Sequence, residues 1–274
     1  MIFICGNYQL DLSHPCVMGI VNVTPDSFSD GGQYASTSQA VEHALQLVEE
    51  GASILDIGGE STRPGATPVG LDEELARVIP VIETLVKLVN IPLSIDTYKP
   101  QVMQAAIDAG ISIVNDVNAL QAPNALETVA KSYVGVCLMH MQGSPQTMQI
   151  DPQYSDVVTE VSDFLFSRLN VTINAGIAHN RIMLDPGFGF GKRTAHNIAL
   201  LKDLMRIKKI GQPLLVGLSR KSVLGQVLGD NKTDRMAASI AASVVAAMNG
   251  ANIFRVHDVK ATVDALKVVA AIQS

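Results

Sequence analysis

The sequence predicts a (β/α)8 barrel, a fold in which eight parallel strands alternate with eight helices. Short apolar runs rich in β-branched residues occur eight times, segments with helical periodicity follow most of them, and several of these segments end at a glycine. Eight strand–helix units also suit a chain of 274 residues, because such barrels typically need about 250 residues. No linker rich in proline, serine or charge interrupts residues 1–274, so we expect a single domain.

The predicted strands are apolar runs bounded by polar or turn-forming residues. In chain order they are residues 17–23, 54–57, 93–95, 111–114, 134–139, 182–184, 214–218 and 253–256. The predicted helices are residues 38–50, 71–89, 100–109, 124–132, 154–175, 195–209, 234–249 and 258–272. Glycine closes several of these helices, because it readily adopts the left-handed conformation that ends a helix.

An open, doubly wound sheet is the alternative fold for alternating strands and helices. Its nucleotide-binding members usually carry a glycine-rich turn after an early strand. The clearest glycine-rich turn here, Asp185-Pro-Gly-Phe-Gly-Phe-Gly-Lys192, comes late, and Lys192 occupies the last glycine position of the dinucleotide pattern. The turn also departs from the phosphate-loop pattern, with Pro186 at the first glycine and Arg193 in place of serine or threonine. The barrel is therefore favoured.

Composition argues against nucleic acids and membranes as partners. The formal net charge is −6, whereas binding to nucleic acids or acidic membranes requires a basic face. Aromatic residues make up 4% of the chain, with no Trp, so a base-stacking platform is not expected. Cys5, Cys16 and Cys137 form no disulfide or zinc pattern, which suits a reducing compartment. Without a recognisable signal peptide or membrane span, we expect a cytoplasmic protein.

Hydrogen-bonding and charged groups end or follow each predicted strand. They are Asn22, Asp56, Glu60, Asp96, Asn115, Asp116, His140, Asp185, Ser219, Arg220, Lys221, Arg255 and His257. In a barrel, the carboxyl ends of all eight strands meet on one face, which is where active sites of this fold lie. The same pattern therefore predicts both the fold and the position of the site.

Part of this set suits a flat heterocycle. Asp96, Asn115 and Asp185 are acceptors from three strands, and carboxylates bind paired N–H donors well. Lys221 and Arg255 supply cations, and the Arg255 guanidinium is able to stack on a ring face. The alternative interpretation is a buried polar network that only specifies the barrel.

A second group of residues is suited to anions. Arg63 follows the second strand, while Arg255 and His257 lie two apart on the last strand and share a face. Residues 219–222 are expected to open a short helix over 222–228, and the loops after strands seven and eight of barrels often hold phosphate. The predicted ligand is therefore a heterocycle with a phosphate.

Two polar loops are expected to cover the barrel mouth. Residues 24–32 form a turn and a Gly-rich stretch around Phe28, and residues 60–66 form a similar loop. Closure of such loops excludes water from the reaction. The alternative is an ordinary solvated loop, although an apolar ring at Phe28 favours a covering role.

Eight motifs in order resemble the dihydropteroate synthase family, and the resemblance covers nearly the whole chain. They are GIVNVTPDSFSDGG (19–32), DIGGESTRPGA (56–66), SIDT (94–97), VND (114–116), LMHMQG (138–143), LDPGFGFGK (184–192), GLSRKS (217–222) and RVHDV (255–259). The resemblance implies a (β/α)8 barrel, usually a homodimer. It also implies the condensation of 6-hydroxymethyl-7,8-dihydropterin diphosphate with p-aminobenzoate, giving 7,8-dihydropteroate and diphosphate.

The family's site residues transfer to matching positions of this sequence. The resemblance assigns the pterin to Asp96, Asn115, Asp185, Lys221 and Arg255. It assigns the diphosphate to Asn22, Arg63, Arg255 and His257, with Mg2+ at Asn22. It assigns p-aminobenzoate to Phe28, Thr62, Pro64, Phe190, Ser219 and Lys221. The catalytic residues expected on this basis are Arg63, Asp96, Lys221, Arg255 and His257.

The expected mechanism is dissociative. Charge gathered by the departing diphosphate is stabilised by Mg2+ and by Arg63, Arg255 and His257, while Asp96 assists the cationic pterin methylene electrostatically. The arylamine is a neutral nucleophile, so no strong base and no Ser–His–Asp triad are expected. His257 is expected to be an anion ligand rather than a base.

Other functions remain open at this level. A methyltransferase that uses a methylated tetrahydrofolate has a similar pterin barrel, but it would not need Arg63 and His257. An inactive pterin-binding paralogue would show damaged loop motifs, and these are intact. A Schiff-base aldolase using Lys221 is more distant, because neighbouring carboxylates would keep the amine protonated.

Helix 235–249 is apolar on much of its surface. This pattern predicts a buried helix, either at a dimer interface or packed against the barrel alone.

Overall fold

The computed structural model describes residues 1–23, 32–62, 65–230 and 232–273, with the backbone alone for residues 32–36. The predicted site residues Phe28, Arg63 and Pro64 lie outside the described residues. A two-stranded antiparallel hairpin opens the chain and consists of β1 (Ile2–Cys5) and β2 (Tyr8–Asp11).

Eight parallel strands form the central sheet, in agreement with the predicted barrel. They are β3 (Cys16–Asn22), β4 (Ile54–Gly58), β5 (Leu93–Asp96), β6 (Ile113–Asp116), β7 (Gly135–Met139), β8 (Ile182–Asp185), β9 (Leu215–Val216) and β10 (Ile253–Val256). The spatial order is β8-β7-β6-β5-β4-β3-β10-β9. A parallel bridge between Leu184 and Leu214, with a 2.9 Å hydrogen bond from Leu184 N to Pro213 O, joins the two ends of the sheet.

Helices follow the strands and form the outer layer. They are α1 (Gly32–Glu49), α2 (Leu71–Leu88), α3 (Pro100–Asp108), α4 (Ala125–Ala130), α5 (Val157–Asn174), α6 (Thr194–Lys202), α7 (Leu204–Lys208), α8 (Ser222–Leu228), α9 (Met236–Met248) and α10 (Val259–Gln273). The predicted helix 195–209 is broken at Asp203, and the predicted short helix 222–228 is present. Within the described ranges, none of the helices combines the length and apolarity needed to cross a bilayer.

The side chains that point into the barrel form two layers. We call the apolar layer the floor and the polar layer, at the carboxyl ends of the strands, the mouth. Apolar residues from seven strands form the floor, and they are Met18, Ile54, Ile113, Cys137, Met183, Leu215 and Ile253. Two residues further along a strand, the side chain returns to the same face. At that level β4, β6, β8 and β10 present Asp56, Asn115, Asp185 and Arg255. Outward-facing residues between them pack under the helices in the larger apolar core.

The hairpin β1–β2 closes the amino-terminal end of the barrel, and the sequence did not predict it. Phe3 and Cys5 are fully buried against the floor residues. A side-chain carbon at Gly135 would lie 2.5 Å from the Phe3 ring, so only glycine fits there. The hairpin thus occupies one end of the barrel and leaves the carboxyl ends of the strands for the site.

Candidate active site

Arg255 links two buried carboxylates at the centre of the barrel mouth. Its Nε donates to Asp56 Oδ2 at 2.5 Å, and its Nη2 donates to Asp96 Oδ2 at 2.6 Å. Asn115 Nδ2 donates to the same Asp56 oxygen at 3.1 Å. The parallel register pairs Asp96 with Asn115 and with Gly58, so β4, β5 and β6 end at one level. The structure therefore brings three predicted pterin residues into one connected network.

Two oxygens of this network have no hydrogen-bond partner among the residues that the structure describes. They are Asp56 Oδ1 and Asp96 Oδ1, both buried. A buried carboxylate oxygen without a partner is costly, because desolvation is not repaid by a hydrogen bond. Acceptors of this kind suit a ligand that brings N–H donors.

Burial sets the protonation of these acids. It raises the pKa of Asp96 to about 7, aided by the negative charge of Asp56, while the Arg255 guanidinium opposes the rise. Burial also raises the pKa of Asp185, against Lys221 and a hydrogen bond from Gly187 N. Although burial acts to lower it, the pKa of Arg255 is raised by Asp56 and Asp96. Asp96 therefore takes up a proton close to neutral pH, and the pKa of Asp185 is shifted in the same direction.

Lys221 and Phe190 meet on the other side of the mouth. Lys221 Nζ donates to the carbonyl of Phe188 and lies 4.5 Å from the centroid of the Phe190 ring. Burial lowers the pKa of Lys221 to about 8, while Asp185 and Asp96 act to raise it. The Lys221 amine is therefore mainly protonated at pH 7, as predicted. The protonated fraction is smaller than the carboxylate neighbours alone would give, because burial lowers the pKa.

Ser219, which follows β9, and His257, which follows β10, contact each other. Ser219 Oγ lies 3.0 Å from His257 Nδ1 and accepts a 3.2 Å hydrogen bond from His257 N. The resemblance assigns these residues to different substrates, p-aminobenzoate and diphosphate. Their direct contact places the two expected pockets side by side. When the serine hydroxyl donates to Nδ1, the neutral imidazole carries its proton on Nε2, and an N–H group is the kind of donor that suits an anion.

Comparisons with known proteins agree with this geometry. A model of the pterin binding enzyme family matches residues 18–257. A dihydropteroate synthase of Escherichia coli (strain K12) is 51% identical over 263 residues, which are 96% of this chain and 93% of that protein. The chain belongs to the dihydropteroate synthase family.

Solved structures of the family support the same conclusion. A dihydropteroate synthase from Xanthomonas albilineans with 4-aminobenzoic acid is 53% identical, with a TM-score of 0.94, and 100% of this chain and 98% of that chain are covered. A complex of the X. albilineans enzyme with 7,8-dihydropteroate is 50% identical, with a TM-score of 0.91, and 100% and 99% of the two chains are covered.

Several predictions from the sequence are thereby confirmed. The resemblance to the dihydropteroate synthase family and the (β/α)8 barrel are confirmed. The enzyme class is also confirmed: a transferase that condenses 6-hydroxymethyl-7,8-dihydropterin diphosphate with p-aminobenzoate to give 7,8-dihydropteroate and diphosphate. Its substrates are accordingly small molecules.

The donor set near Asn22 fits Mg2+ if the substrate supplies further oxygens. An ideal side-chain carbon at Gly58 would lie 3.8 Å from Asp96 Oδ2 and 4.0 Å from Asn22 Oδ1, so both oxygens border one small space that glycine leaves open. Among residues 1–23, 32–62, 65–230 and 232–273, no group of three His, Cys, Asp or Glu side chains is placed to hold a metal. Mg2+ commonly takes one or two protein oxygens together with substrate phosphates.

The base of the loop after β4 is fixed by ionic contacts. Lys99 pairs with both Glu60 and Glu74, and Glu60 Oε1 also accepts hydrogen bonds from Tyr98 Oη at 3.1 Å and from Val69 N at 3.2 Å. Thr62, a predicted p-aminobenzoate residue, lies half-buried two positions after Glu60. These contacts fix the part of the chain from which the loop carrying Thr62 begins.

Sequence reasoning did not assign roles to Asp56 and Lys192. Asp56 lies two positions after Ile54, and this spacing is the signal that it faces inward. In the sequence, Lys192 only distinguishes this turn from a nucleotide-binding loop, yet its ammonium is buried between β7 and the loop after β8. Neither residue is distinguishable from a surface charge by composition alone.

Proposed function

We propose that the condensation takes place at the carboxyl ends of the strands, through dissociative loss of diphosphate. The observation that carries this proposal is the pair of buried carboxylates, Asp56 and Asp96, which share Arg255 and whose Oδ1 atoms have no hydrogen-bond partner among the described residues. Such a site is stabilised by a flat ligand with paired N–H donors. Residues 1–274 act as one pterin-binding domain in this proposal, because the contacts join strands from both halves of the chain.

The pterin binds within the ring formed by Asp96, Asn115, Asp185, Lys221 and Arg255. Asp185 is 6% exposed and Asn115 is 5% exposed, so hydrogen bonds to the ligand form away from water. In that setting charged hydrogen bonds are stronger than at a surface. The Arg255 guanidinium, held by two carboxylates, is fixed in position to contact a ring face.

The diphosphate binds to Asn22, Arg255 and His257, and to Arg63, which lies outside the described residues. Asn22 would hold Mg2+, which when bound neutralises negative charge on phosphate oxygens. Arg255 and His257 lie on one face of β10 and its continuation, so they are able to contact the same anion. This arrangement stabilises the leaving group as it gathers charge.

The p-aminobenzoate pocket is proposed between the Phe190 ring, Lys221 and Ser219, with Thr62, Phe28 and Pro64 from the first two loops. Phe190 offers an apolar face, and the Lys221 ammonium offers a charge partner for a carboxylate. Ser219 contacts His257 and so connects this pocket with the diphosphate site. Both substrates then meet above Asp185 and Asp96.

Electron flow follows from this placement. The bond between the pterin methylene and the diphosphate oxygen breaks first, and the electron pair leaves with the diphosphate. The methylene cation is spread over the pterin and is stabilised by the nearby Asp96 carboxylate. The arylamine nitrogen then forms the new C–N bond and loses a proton to solvent or phosphate. Arg63, Asp96, Lys221, Arg255 and His257 are the proposed catalytic residues.

A direct assay tests the proposal. The pure protein is incubated with the pterin diphosphate, p-aminobenzoate and Mg2+, and 7,8-dihydropteroate is sought by mass. We expect product that disappears when p-aminobenzoate or Mg2+ is omitted. Absence of product while the pterin still binds would contradict the proposal and favour the methyltransferase or the inactive paralogue.

Arg63→Ala is expected to lower kcat by roughly 100-fold, the typical effect of removing one group that stabilises developing negative charge. Binding of p-aminobenzoate should change less, because the arginine acts on the leaving group. Single-turnover rates and p-aminobenzoate titration would separate the two effects. Arg206→Ala, at a 51% exposed arginine on α7, is the matched control and should leave the rate unchanged. Equal rates in Arg63→Ala and the parent would remove Arg63 from the mechanism.

We also place the enzyme in the cytoplasm and propose that it is a homodimer. Met248 of α9 and Val268 and Ile272 of α10 are large apolar side chains that are 63%, 60% and 77% exposed. The two helices pack against each other, so we expect these side chains to form a joint apolar surface. Such a surface commonly marks a contact with another protein.

The double variant Met248→Glu/Val268→Glu is expected to be a monomer, because it places carboxylates in the apolar surface. Light scattering during gel filtration should give about twice the chain mass for the parent and the chain mass for the variant. Glu substitutions at Tyr133 and Ile150, which are 82% and 80% exposed elsewhere, serve as the control. A monomeric parent would refute the dimer.

A further inference from the structure

Lys192 is a buried cation bound almost entirely by backbone carbonyls. It is 3% exposed, and its Nζ donates to Gly187 O and Phe190 O, each at 2.9 Å. The same atom lies 2.9 Å from His140 Nδ1 and 3.3 Å from His140 O. In the part of the chain that the structure describes, no carboxylate forms an ion pair with Lys192.

Burial of an ammonium without a carboxylate partner costs free energy, so Lys192 is expected to contribute through the backbone carbonyls that it binds. Burial lowers the pKa of Lys192 well below its ordinary value, with Lys221 adding to the decrease and Asp185 opposing it. The three carbonyl oxygens that accept from Nζ favour the ammonium form, which has one N–H for each of them. Burial and Lys192 together lower the pKa of His140 to about 3, so the imidazole is neutral and is able to accept at Nδ1. A methionine at position 192 would fill the same space without the cost of desolvating a charge.

The carbonyls held by Lys192 belong to one short segment, residues 187–191, and to the end of β7. Gly187, Gly189 and Gly191 adopt φ values of +69°, +79° and +61°. A side-chain carbon at Gly187 would lie 1.9 Å from His140 O. The segment is therefore pressed against β7 in a conformation that favours glycine. Lys192 binds both ends of it and ties them to His140.

Asn197 of α6 provides a second tie to the same segment. Its Oδ1 accepts a 2.7 Å hydrogen bond from Gly189 N, and its Nδ2 donates to Lys192 O at 3.2 Å and to Arg193 O at 2.9 Å. Asn197 is 3% exposed. The segment is thus held at Gly187 and Phe190 by Lys192, and at its midpoint by Asn197.

The outer side of the segment contacts two predicted ligand-binding residues. Phe188 O accepts a hydrogen bond from Lys221, and the Phe190 ring lies 4.5 Å from Lys221 Nζ. Gly187 N donates to Asp185 Oδ1 at 2.7 Å. A shift of the segment would therefore change the distance between the Phe190 ring and the Lys221 ammonium.

We propose that Lys192 is a positioning residue for p-aminobenzoate binding, which acts by holding residues 187–191 so that Phe190 and Lys221 keep their relative placement. This inference rests on the proposed assignment of Phe190 and Lys221 to the p-aminobenzoate pocket. In the described structure, the hydrogen bonds of Lys192 go to His140 and to backbone carbonyls of the segment, and not to the side chains of Phe190 or Lys221. Its effect is therefore on binding of the second substrate rather than on bond breaking.

Lys192→Met tests the inference through separate kinetic constants. The KM for p-aminobenzoate should rise by about tenfold, the equivalent of one good hydrogen-bonding contact. The KM for the pterin diphosphate and kcat should each change by less than about threefold, because Asp185, Asn115 and Arg255 are held by their strands and the Lys221 backbone is held at the start of α8, so that the Phe190 ring is the group that moves. A rise in the pterin KM as large as that for p-aminobenzoate would overturn the proposal.

Arg181→Met is the matched control for loss of a cation that binds carbonyls. Arg181 precedes β8 at the opposite end of the barrel, where its Nε donates to Val134 O and its Nη2 to Ser132 O, each at 2.9 Å. Arg181→Met should lower Tm without changing either KM. If Lys192→Met also lowers Tm and leaves the p-aminobenzoate KM unchanged, Lys192 is only structural and the proposal fails.

A second variant, Asn197→Ala, tests the proposal if Lys192→Met does not fold. Asn197→Ala releases Gly189 N while keeping the buried cation, and it should raise the KM for p-aminobenzoate in the same direction. An unchanged p-aminobenzoate KM in folded Asn197→Ala would also overturn the proposal. Absence of 7,8-dihydropteroate with the parent protein would instead refute the proposed function itself, so the two failures are distinguishable.

Discussion

Asp185→Asn is expected to weaken pterin binding by roughly 30-fold to several thousand-fold, which corresponds to about 2–5 kcal/mol for truncating a buried charged hydrogen-bond pair. Asp185 ends β8, is 6% exposed, and has Lys221 as its main cationic neighbour. An amide in its place keeps the size of the side chain but offers only one acceptor oxygen to paired N–H donors. Calorimetric titration with the pterin diphosphate would measure the loss directly.

Asp116→Asn is the matched control. Asp116 is also a fully buried acid at the end of a strand, and burial raises its pKa to about 6. Its carboxylate accepts 2.7 Å hydrogen bonds from Asn118 N and Leu120 N, on the face of β6 that is directed toward the helices. The control variant should lose stability but keep pterin affinity. Unchanged pterin affinity in Asp185→Asn would show that the assigned role is wrong.

The strand ends show why the sequence predicted so much of this site. A parallel barrel brings all carboxyl ends to one face, so the linear order of polar groups after apolar runs was sufficient to group Asp96, Asn115, Asp185 and Arg255. The structure connects three of them through hydrogen bonds. Their roles toward each substrate stay predictions, because the resemblance rather than the geometry supplied them.

Residues whose role depends on partners distant in sequence were not predictable. Arg255 and Asp56 are separated by 199 positions, and no local pattern specifies that they pair. Lys192 resembles an ordinary loop lysine until its contacts with His140 are known. The amino-terminal hairpin was missed for a similar reason, because two four-residue strands give too short a pattern and their burial depends on the barrel floor.

Arg255→Met is expected to be the most destabilising replacement in the barrel mouth. The guanidinium is shared by Asp56 and Asp96, and methionine removes its charge and donors while keeping an extended side chain. Two neighbouring carboxylates would remain buried without their cation. Removing one partner of a buried ion pair costs about 3–5 kcal/mol. Urea unfolding at pH 7.5 should show a loss of this size in the free energy of unfolding.

The loss should be smaller at pH 5. Burial already raises the pKa of Asp96 to about 7, and Arg255 is the group that opposes this rise. Without Arg255 the native pKa lies still further above that of the unfolded chain. The native state then binds more protons than the unfolded state between the two pKa values, so stability falls as pH rises through that range. Protonation of Asp96 at acidic pH therefore offsets part of the missing charge.

Two further variants decide whether the carboxylates cause this effect. Asp96→Asn/Arg255→Met should recover part of the stability at pH 7.5 and show a weaker dependence on pH than Arg255→Met alone. Arg181→Met removes a cation whose hydrogen bonds, in the part of the chain that the structure describes, go to the two carbonyls named above, and it should lower stability by a similar amount at both pH values. If the loss of stability in Arg255→Met were also the same at both pH values, the ion pairs with Asp56 and Asp96 would contribute little. The guanidinium would then stabilise the barrel mainly through packing.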